Sequence, residues 1–327
     1  MQEVYLGIDV GSVTIKLALV DPSNNLIKST WLRNQGSPIE NVKIGIKRMR
    51  DELEQESMLD SIQVKAVGTT GSARYLTKSI VGGDVAKTEI IAHAVAAISY
   101  HPDVRTILEI GGQDSKIIIL RDGIVVDFAM NSVCAAGTGS FLDHQAARLG
   151  IKIEEFGNYA LRSETPVSIA GRCTVFAESD MIHKQQMGYS KEDIIGGLSQ
   201  SLVRNYLNNV GKGKDIQPPI IFQGGVAANS GIVEAFKESL KEEVTVPKHF
   251  LLMGSIGAAI LAKEHFQENP GYKTNFRGFD VHDIEFETST FNCGGCANNC
   301  EVVQVKMAEN KEIVARWGDR CGRWEVF

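Results

Sequence analysis

The chain has 327 residues, a length that suits about two globular domains, and its 34 basic and 40 acidic side chains leave a formal net charge of −6, which excludes a broad basic nucleic-acid surface as its organising feature. Hydrophobic residues make up 43% of the chain, enough for a large core. Yet no apolar run approaches the ~18 to 20 residues of a membrane span. The start Met1-Gln2-Glu3 also lacks a secretory pattern, so the expectation is a cytoplasmic protein with neither a nucleic-acid nor a membrane partner.

Val4 to Asp9 reads as a short strand and Ile15 to Val20 as a second, joined by the turn Val10-Gly11-Ser12-Val13-Thr14. Ser37-Pro38-Ile39-Glu40 reads as a capping box with proline at the first helical position. Ile39, Val42, Ile46, Met49 and Leu53 step by three and four, which predicts a helix packed by one face on a sheet. A strand is expected at 63–67 and a helix at 89–99. From Ile107 the plan of the N-terminus recurs: Ile107 to Ile110, the loop Gly111-Gly112-Gln113-Asp114-Ser115-Lys116, then Ile117 to Leu120. Two strand, glycine loop, strand units about a hundred residues apart imply an internal duplication of an α/β half. Helices are expected at 140–149, 174–186, 191–210, 231–241 and 255–265, with a strand at 219–223, and this alternation predicts mixed sheets in two α/β lobes. Gln267-Glu268-Asn269-Pro270-Gly271 reads as a linker to a small appendage poor in apolar residues.

Thirty-two glycines against eight prolines, set in pairs and short motifs, suggest backbone loops that close on a ligand. Gly11, Ser12 and Thr14 offer bare backbone and hydroxyls for phosphate oxygens, Lys16 a cation, and Asp9 a carboxylate for Mg²⁺. Gly111, Gly112 and Lys116 repeat that chemistry, with Gln113 or Asp114 placed to orient an attacking water. A third glycine pair, Gly224 and Gly225, runs on to Asn229 between a strand and a helix and suits a nucleoside.

In a reducing compartment the six cysteines are not a disulfide framework, and they fall into two groups. Cys134 and Cys173 each precede a predicted helix, where unpaired N–H groups favour a thiolate. Two sulfurs are half of a Cys₄ iron–sulfur site, which a symmetric homodimer would complete. Cys293, Cys296, Cys300 and Cys321 crowd the last thirty-five residues, and a hairpin at Val302 to Val314 would bring Cys321 back toward the others. Four thiolates suit either Zn²⁺ or a second iron–sulfur cluster. Glu178, beyond Cys173, reads as a solvated or capping carboxylate.

Leu6-Gly7-Ile8-Asp9-Val10-Gly11-Ser12 and Glu109-Ile110-Gly111-Gly112-Gln113-Asp114-Ser115-Lys116 resemble the two phosphate motifs of the actin, sugar-kinase and chaperone ATPase superfamily. Asn131-Ser132-Val133-Cys134-Ala135-Ala136-Gly137-Thr138-Gly139 and Gly171-Arg172-Cys173-Thr174-Val175-Phe176-Ala177-Glu178-Ser179 are similar to the cysteine motifs of the 2-hydroxyacyl-CoA dehydratase activators, which group with the ATPase subunits of benzoyl-CoA reductases. The resemblance covers about residues 1–266. It implies an α/β, duplicated ribonuclease-H-like (actin-like ATPase) fold of two lobes, to which the residues past 266 add a small Cys-rich C-terminal appendage. Lobe I would hold 1–100 with 252–266, lobe II 101–251, and the linker and appendage 267–327. The resemblance further implies ATP and Mg²⁺ as ligands and one [4Fe–4S] cluster per homodimer, bridged by Cys134 and Cys173. An iron–sulfur dehydratase or reductase would be the partner, with ferredoxin or flavodoxin as the upstream donor. The appendage departs from the shorter activators. A small-molecule kinase or a non-redox regulatory ATPase of the same fold is the alternative, and either would leave the cysteine motifs unexplained.

Overall fold

The structure, a computed structural model, describes residues 1–34, 36–131, 137–171 and 173–326. Two compact units make up the chain, Met1–Val95 with Gly254–Phe327, and Ala96–Met253. Among the described residues no helix is long and apolar enough to cross a membrane.

In the first unit β1 (Gln2–Val10), β2 (Thr14–Val20) and β3 (Leu26–Arg33) form an antiparallel meander. Helix α1 (Pro38–Gln55) leads to β4 (Ile62–Gly71), parallel to β1, and α2 (Arg74–Val81) to β5 (Val85–Ala86), parallel to β4. The sheet order is β3-β2-β1-β4-β5. Helix α3 (Glu89–Tyr100) follows. β1 is buried continuously from Val4 to Val10, as a central strand covered on both faces must be. Val42, Ile46, Met49 and Leu53 form the buried stripe of α1. Ser37 makes no side-chain cap, however, so the capping box does not form. Its carbonyl accepts the Asn41 N–H (2.9 Å), Pro38 has no N–H to satisfy, and Glu40 turns to Lys43 at 3.7 Å.

The second unit repeats the topology with β6 (Thr106–Ile110), β7 (Ser115–Arg121), β8 (Ile124–Asn131), α4 (Gly139–Leu149), α5 (Ile153–Leu161), α6 (Thr174–Gln186), α7 (Lys191–Asn209), β9 (Ile220–Gln223), α8 (Ser230–Leu240) and β10 (Val244–Thr245). Its sheet order, β8-β7-β6-β9-β10, is that of the first sheet: a three-stranded meander, then two parallel returns. The duplication expected from the sequence is thus a duplication of topology.

Helix α9 (Met253–Glu268) packs in the first unit against bare backbone. A Cβ at Gly7 would fall 1.8 Å from the Ser255 carbonyl oxygen, and one at Gly68 2.0 Å from that of Ala258, so only glycine permits the approach. Beyond α9 the chain is held by Asp84. Its Oδ1 accepts from Tyr272 Oη (2.8 Å) and the Asn275 N–H (2.9 Å), and its Oδ2 from Thr274 Oγ1 (2.7 Å) and the Val67 N–H (2.8 Å). The antiparallel sheet β11 (Phe286–Asn292), β12 (Glu301–Met307) and β13 (Ile313–Trp317) follows. Val281, Val305, Val314 and Ala315 belong to the same apolar cluster as Val42, Ile46, Met49, Leu53, Ile80 and Val81, so this sheet shares the core of the first unit.

Candidate functional site: two phosphate turns and the cysteine loops

Asp9 closes β1 opposite Lys16 on β2, and the register places them directly across the ladder. Lys16 Nζ lies 3.1 Å from Asp9 Oδ2, and the Asp9 side chain is buried. The Gly11 N–H donates to the Thr14 carbonyl (3.0 Å) to shut the turn, while Asn34 Nδ2 donates to the Gly11 carbonyl (2.8 Å). Ser12 stands exposed at the tip. Thr70, paired with Asp9 across β1 and β4, has a buried Oγ1 with no hydrogen-bond partner among the described residues.

The turn at Gly111 is built to the same plan. Glu109 pairs with Lys116 in register, and the Gly111 N–H donates to the Asp114 carbonyl at 2.9 Å. Lys116, only 2% exposed, donates to Glu109 Oε2 (3.1 Å) and to Asp114 Oδ2 (2.7 Å). Gln113 is exposed at the tip, with Gly112 beside it half-buried. Glu109 is therefore the counterpart of Asp9, a role the sequence reading did not give it. The hundred-residue offset that aligns Gly11 with Gly111 and Lys16 with Lys116 also aligns Asp9 with Glu109, and was the signal available.

The third glycine turn abuts the second. At Gly224 φ is +90°, and a Cβ there would lie 2.4 Å from the Ile110 carbonyl oxygen and 2.7 Å from Glu109 Oε1. Gly225 opens onto free space. Asn229 has a structural task, since its Oδ1 accepts the Ile232 N–H (3.2 Å) as the N-cap of α8.

Cys134 lies outside the described residues. The helix that follows its motif is nevertheless fixed to the turn at Gly111. The Gly139 N–H donates to the Gly111 carbonyl (2.9 Å), and the Ser140 N–H and Oγ donate to that of Gly112 (2.8 and 2.5 Å). Two of the orphan N–H groups at the start of α4 are satisfied in this way. Cys173 is the N-cap residue of α6, with a half-buried free thiol. The three residues at 169–171 are held by one face of α7: Arg204 Nη2 donates to the Ile169 carbonyl (2.8 Å), Ser201 Oγ to Ala170 (2.7 Å) and Asn205 Nδ2 to Gly171 (2.6 Å). The next residue on α7, Tyr206, donates its hydroxyl to the Lys116 carbonyl (2.6 Å). Burial, with the Glu109 carboxylate adding to it, pushes the Tyr206 phenol well above its ordinary range and keeps it a donor. Glu178 on α6 accepts from Arg148 on α4 at 2.6 Å, so it pairs rather than caps and ties together the two helices that follow the cysteine motifs.

Cys293, Cys296 and Cys300 all lie in the loop between β11 and β12, and Cys321 follows β13. Trp324 and the Gly295 N–H lower the pKa of the Cys293 thiol. Among the described residues one group of three or more ligating atoms lies within 4.8 Å of one another, and it is Asp280, His282 and Asp283. The four sulfurs share one end of a sheet but stand wider than that spacing.

An activator of 2-hydroxyisocaproyl-CoA dehydratase from Clostridioides difficile is 32% identical over 265 residues, covering 81% of this chain and 96% of the relative. The crystal structure of the Acidaminococcus fermentans (R)-2-hydroxyglutaryl-CoA dehydratase component A matches with a TM-score of 0.73 at 32% identity, over 81% of this chain and 99% of that one. The C. difficile activator with bound ADPNP matches at 0.71 and 31%, over 81% and 96%. These likenesses give the units the mixed α/β actin-like ATPase fold, with β11–β13 as an addition. Residues 6–262 match the BadF/BadG/BcrA/BcrD ATPase family, a span that takes in both glycine turns and both cysteine motifs, and the chain belongs to that family.

Proposed function

We propose that this protein is an ATP-dependent one-electron donor that activates a 2-hydroxyacyl-CoA dehydratase or a related acyl-CoA reductase, acting as a homodimer with one [4Fe–4S] cluster held by Cys134 and Cys173 of each chain. The observation that carries this reading is the hydrogen-bonded link from the Gly111 turn to the helix after Cys134 and to the loop before Cys173. Gly111 and Gly112 seat the helix after Cys134, while α7 grips the loop before Cys173 and, one residue on, the Lys116 carbonyl. A change in the turn would reach the helix after Cys134 and the loop before Cys173 through short, direct contacts. The names of the relatives support the ATP and the dehydratase partner.

The residues fit the ligands. Cys173 is a free, half-buried thiol at the N-cap of α6, where its sulfur is open to a metal. Val175 and Phe176 beside it are each 66% exposed, which suits contact with a second chain. When bound, the cluster would supply a low-potential one-electron carrier. On the nucleotide side, in the second unit the backbone at Gly111 and Gly112 would receive phosphate oxygens and Gly224 and Gly225 the nucleoside, and in the first unit the backbone at Gly11 and Ser12, with Thr14, is equally suited to phosphate oxygens. Asp9 beside Lys16, and Glu109 beside Lys116, are each a carboxylate suited to hold Mg²⁺ through water. Gln113 and Asp114 would orient the attacking water. Ferredoxin or flavodoxin would reload the protein in a reducing cytoplasm.

Electron paramagnetic resonance of the anaerobic, dithionite-reduced protein tests the link. The spectrum with ADPNP is expected to differ from that with ADP, and the difference to shrink in Tyr206→Phe. Identical spectra for the two nucleotides in the unaltered protein would contradict the proposal.

A further inference from the structure

We infer that Cys293, Cys296, Cys300 and Cys321 form a tetrathiolate zinc site that staples the end of the β11–β13 sheet. It lies outside the family match, which ends at residue 262, and does not depend on the function proposed above.

The topology puts the four thiols at one end of one sheet. The last pair of the β11–β12 ladder is Asn292 with Glu301, so residues 293–300 form its connecting loop, and the Cys293 N–H donates to the Cys300 carbonyl (2.8 Å) across its base. Val303 pairs with Trp317, and a Cβ at Gly318 would lie 2.5 Å from the Glu301 carbonyl oxygen, so β13 ends beside that loop. The segment carrying Cys321 is then fastened from its far side. Trp324 packs edge-on against Phe291 at 5.0 Å, the Arg316 guanidinium lies over both rings, and Arg316 bridges Val326. Arg323 reaches the backbone of the cysteine loop, with Nη1 2.5 Å from where a Cβ at Gly295 would stand.

The loop that carries three of the thiols packs little of itself. Residues 294–299 are all exposed, as is Cys321, and of the buried residues of the sheet Val305, Val314 and Ala315 serve the core of the first unit, which leaves Val302 and Cys293 buried at the loop end. A loop with so little apolar packing of its own is the kind of segment that a cross-link or a metal stabilises. Its sulfurs must draw in to reach single-ion spacing, and the glycines at 294, 295 and 322 leave the backbone free to do so. Zinc is favoured over an iron–sulfur cluster on two grounds. The Cys-x₂-Cys-x₃-Cys run has the short bite of zinc sites and neither of the common ferredoxin spacings. The site would also be solvated, with Arg323 at the cysteine loop to offset part of the double negative charge of Zn²⁺ on four thiolates.

Metal analysis of the full-length protein tests this. About one zinc per chain is expected in the unaltered protein and in Cys173→Ser, and near none in the double variant Cys296→Ser/Cys321→Ser. X-ray absorption at the zinc edge of the unaltered protein, which requires no variant to fold, should give a sulfur-only shell at about 2.3 Å. Zinc retained by the double variant, a shell containing nitrogen or oxygen, or iron lost in place of zinc would overturn the assignment. Each of these readings leaves the nucleotide-dependent spectra, and hence the proposed function, untouched.

Discussion

Lys116 donates to two carboxylates, Glu109 and Asp114, from a position that is 2% exposed. A buried ammonium stripped of one partner leaves an uncompensated charge, so substitutions at Lys116 or Glu109 would confuse loss of fold with loss of function. Asp114 separates the two, because its side chain is one-third exposed (34%) and lies at the mouth of the turn. Asp114→Asn, which keeps an amide oxygen within reach of Lys116 while Glu109 still neutralises it, is expected to slow ATP hydrolysis about 100-fold, the usual weight of a positioned acid–base group, with a much smaller fall in melting temperature than removal of Glu109 causes. Phosphate release measured beside a thermal melt decides it, and hydrolysis at the normal rate would remove Asp114 from the mechanism. Residues of this turn were legible because glycine loops with a cation at fixed spacing carry a phosphate signature. The cap at Asn229 was not, since whether an amide faces a ligand or a helix end depends on the exit angle of the chain.

Helix α7 is the element through which the second unit is wired, and its N-terminus is anchored by Asp193. The Thr165 N–H first, then the Ser190 and Ser163 hydroxyls, lower the Asp193 pKa from 3.8 to about 2. The folded state therefore binds fewer protons than the unfolded chain between about pH 4 and pH 2. Stability from this group is complete above that window and lost as pH falls through it. Asp193→Asn should flatten the fall of the melting temperature between pH 4 and pH 2, and an unchanged slope would show that the anchor contributes nothing. Long periodic elements such as α1 and the continuous apolar strands β1 and β6 could be read directly. Helices α2 and α5, of eight and nine residues, are too short to display a period, and β3 is a half-exposed strand whose apolar residues do not alternate cleanly. β8 inverts the rule, with Ile124, Val126, Phe128 and Met130 exposed on one face, so its pattern does not announce which side is inside.

At the scale of the whole chain, one topology appears twice, and a third sheet is grafted onto the first copy. The duplication was visible in the sequence because a strand, a glycine loop followed by a lysine and a second strand occur at Gly11 and Lys16 and again a hundred positions on at Gly111 and Lys116. The graft was not, because it rests on contacts remote in sequence. Asp84 grips residues 272–275, and Val281, Val305, Val314 and Ala315 enter a core whose other buried members lie before residue 82. The central claim is that this ATPase carries a redox cluster shared between two chains. Iron and sulfide per chain, measured on anaerobically purified protein together with its mass in solution, test that claim most directly. The account predicts a dimer with about two irons and two sulfides per chain, all lost in Cys173→Ser. A protein that holds no iron even after cluster reconstitution would contradict it and leave an ATPase without an electron to deliver.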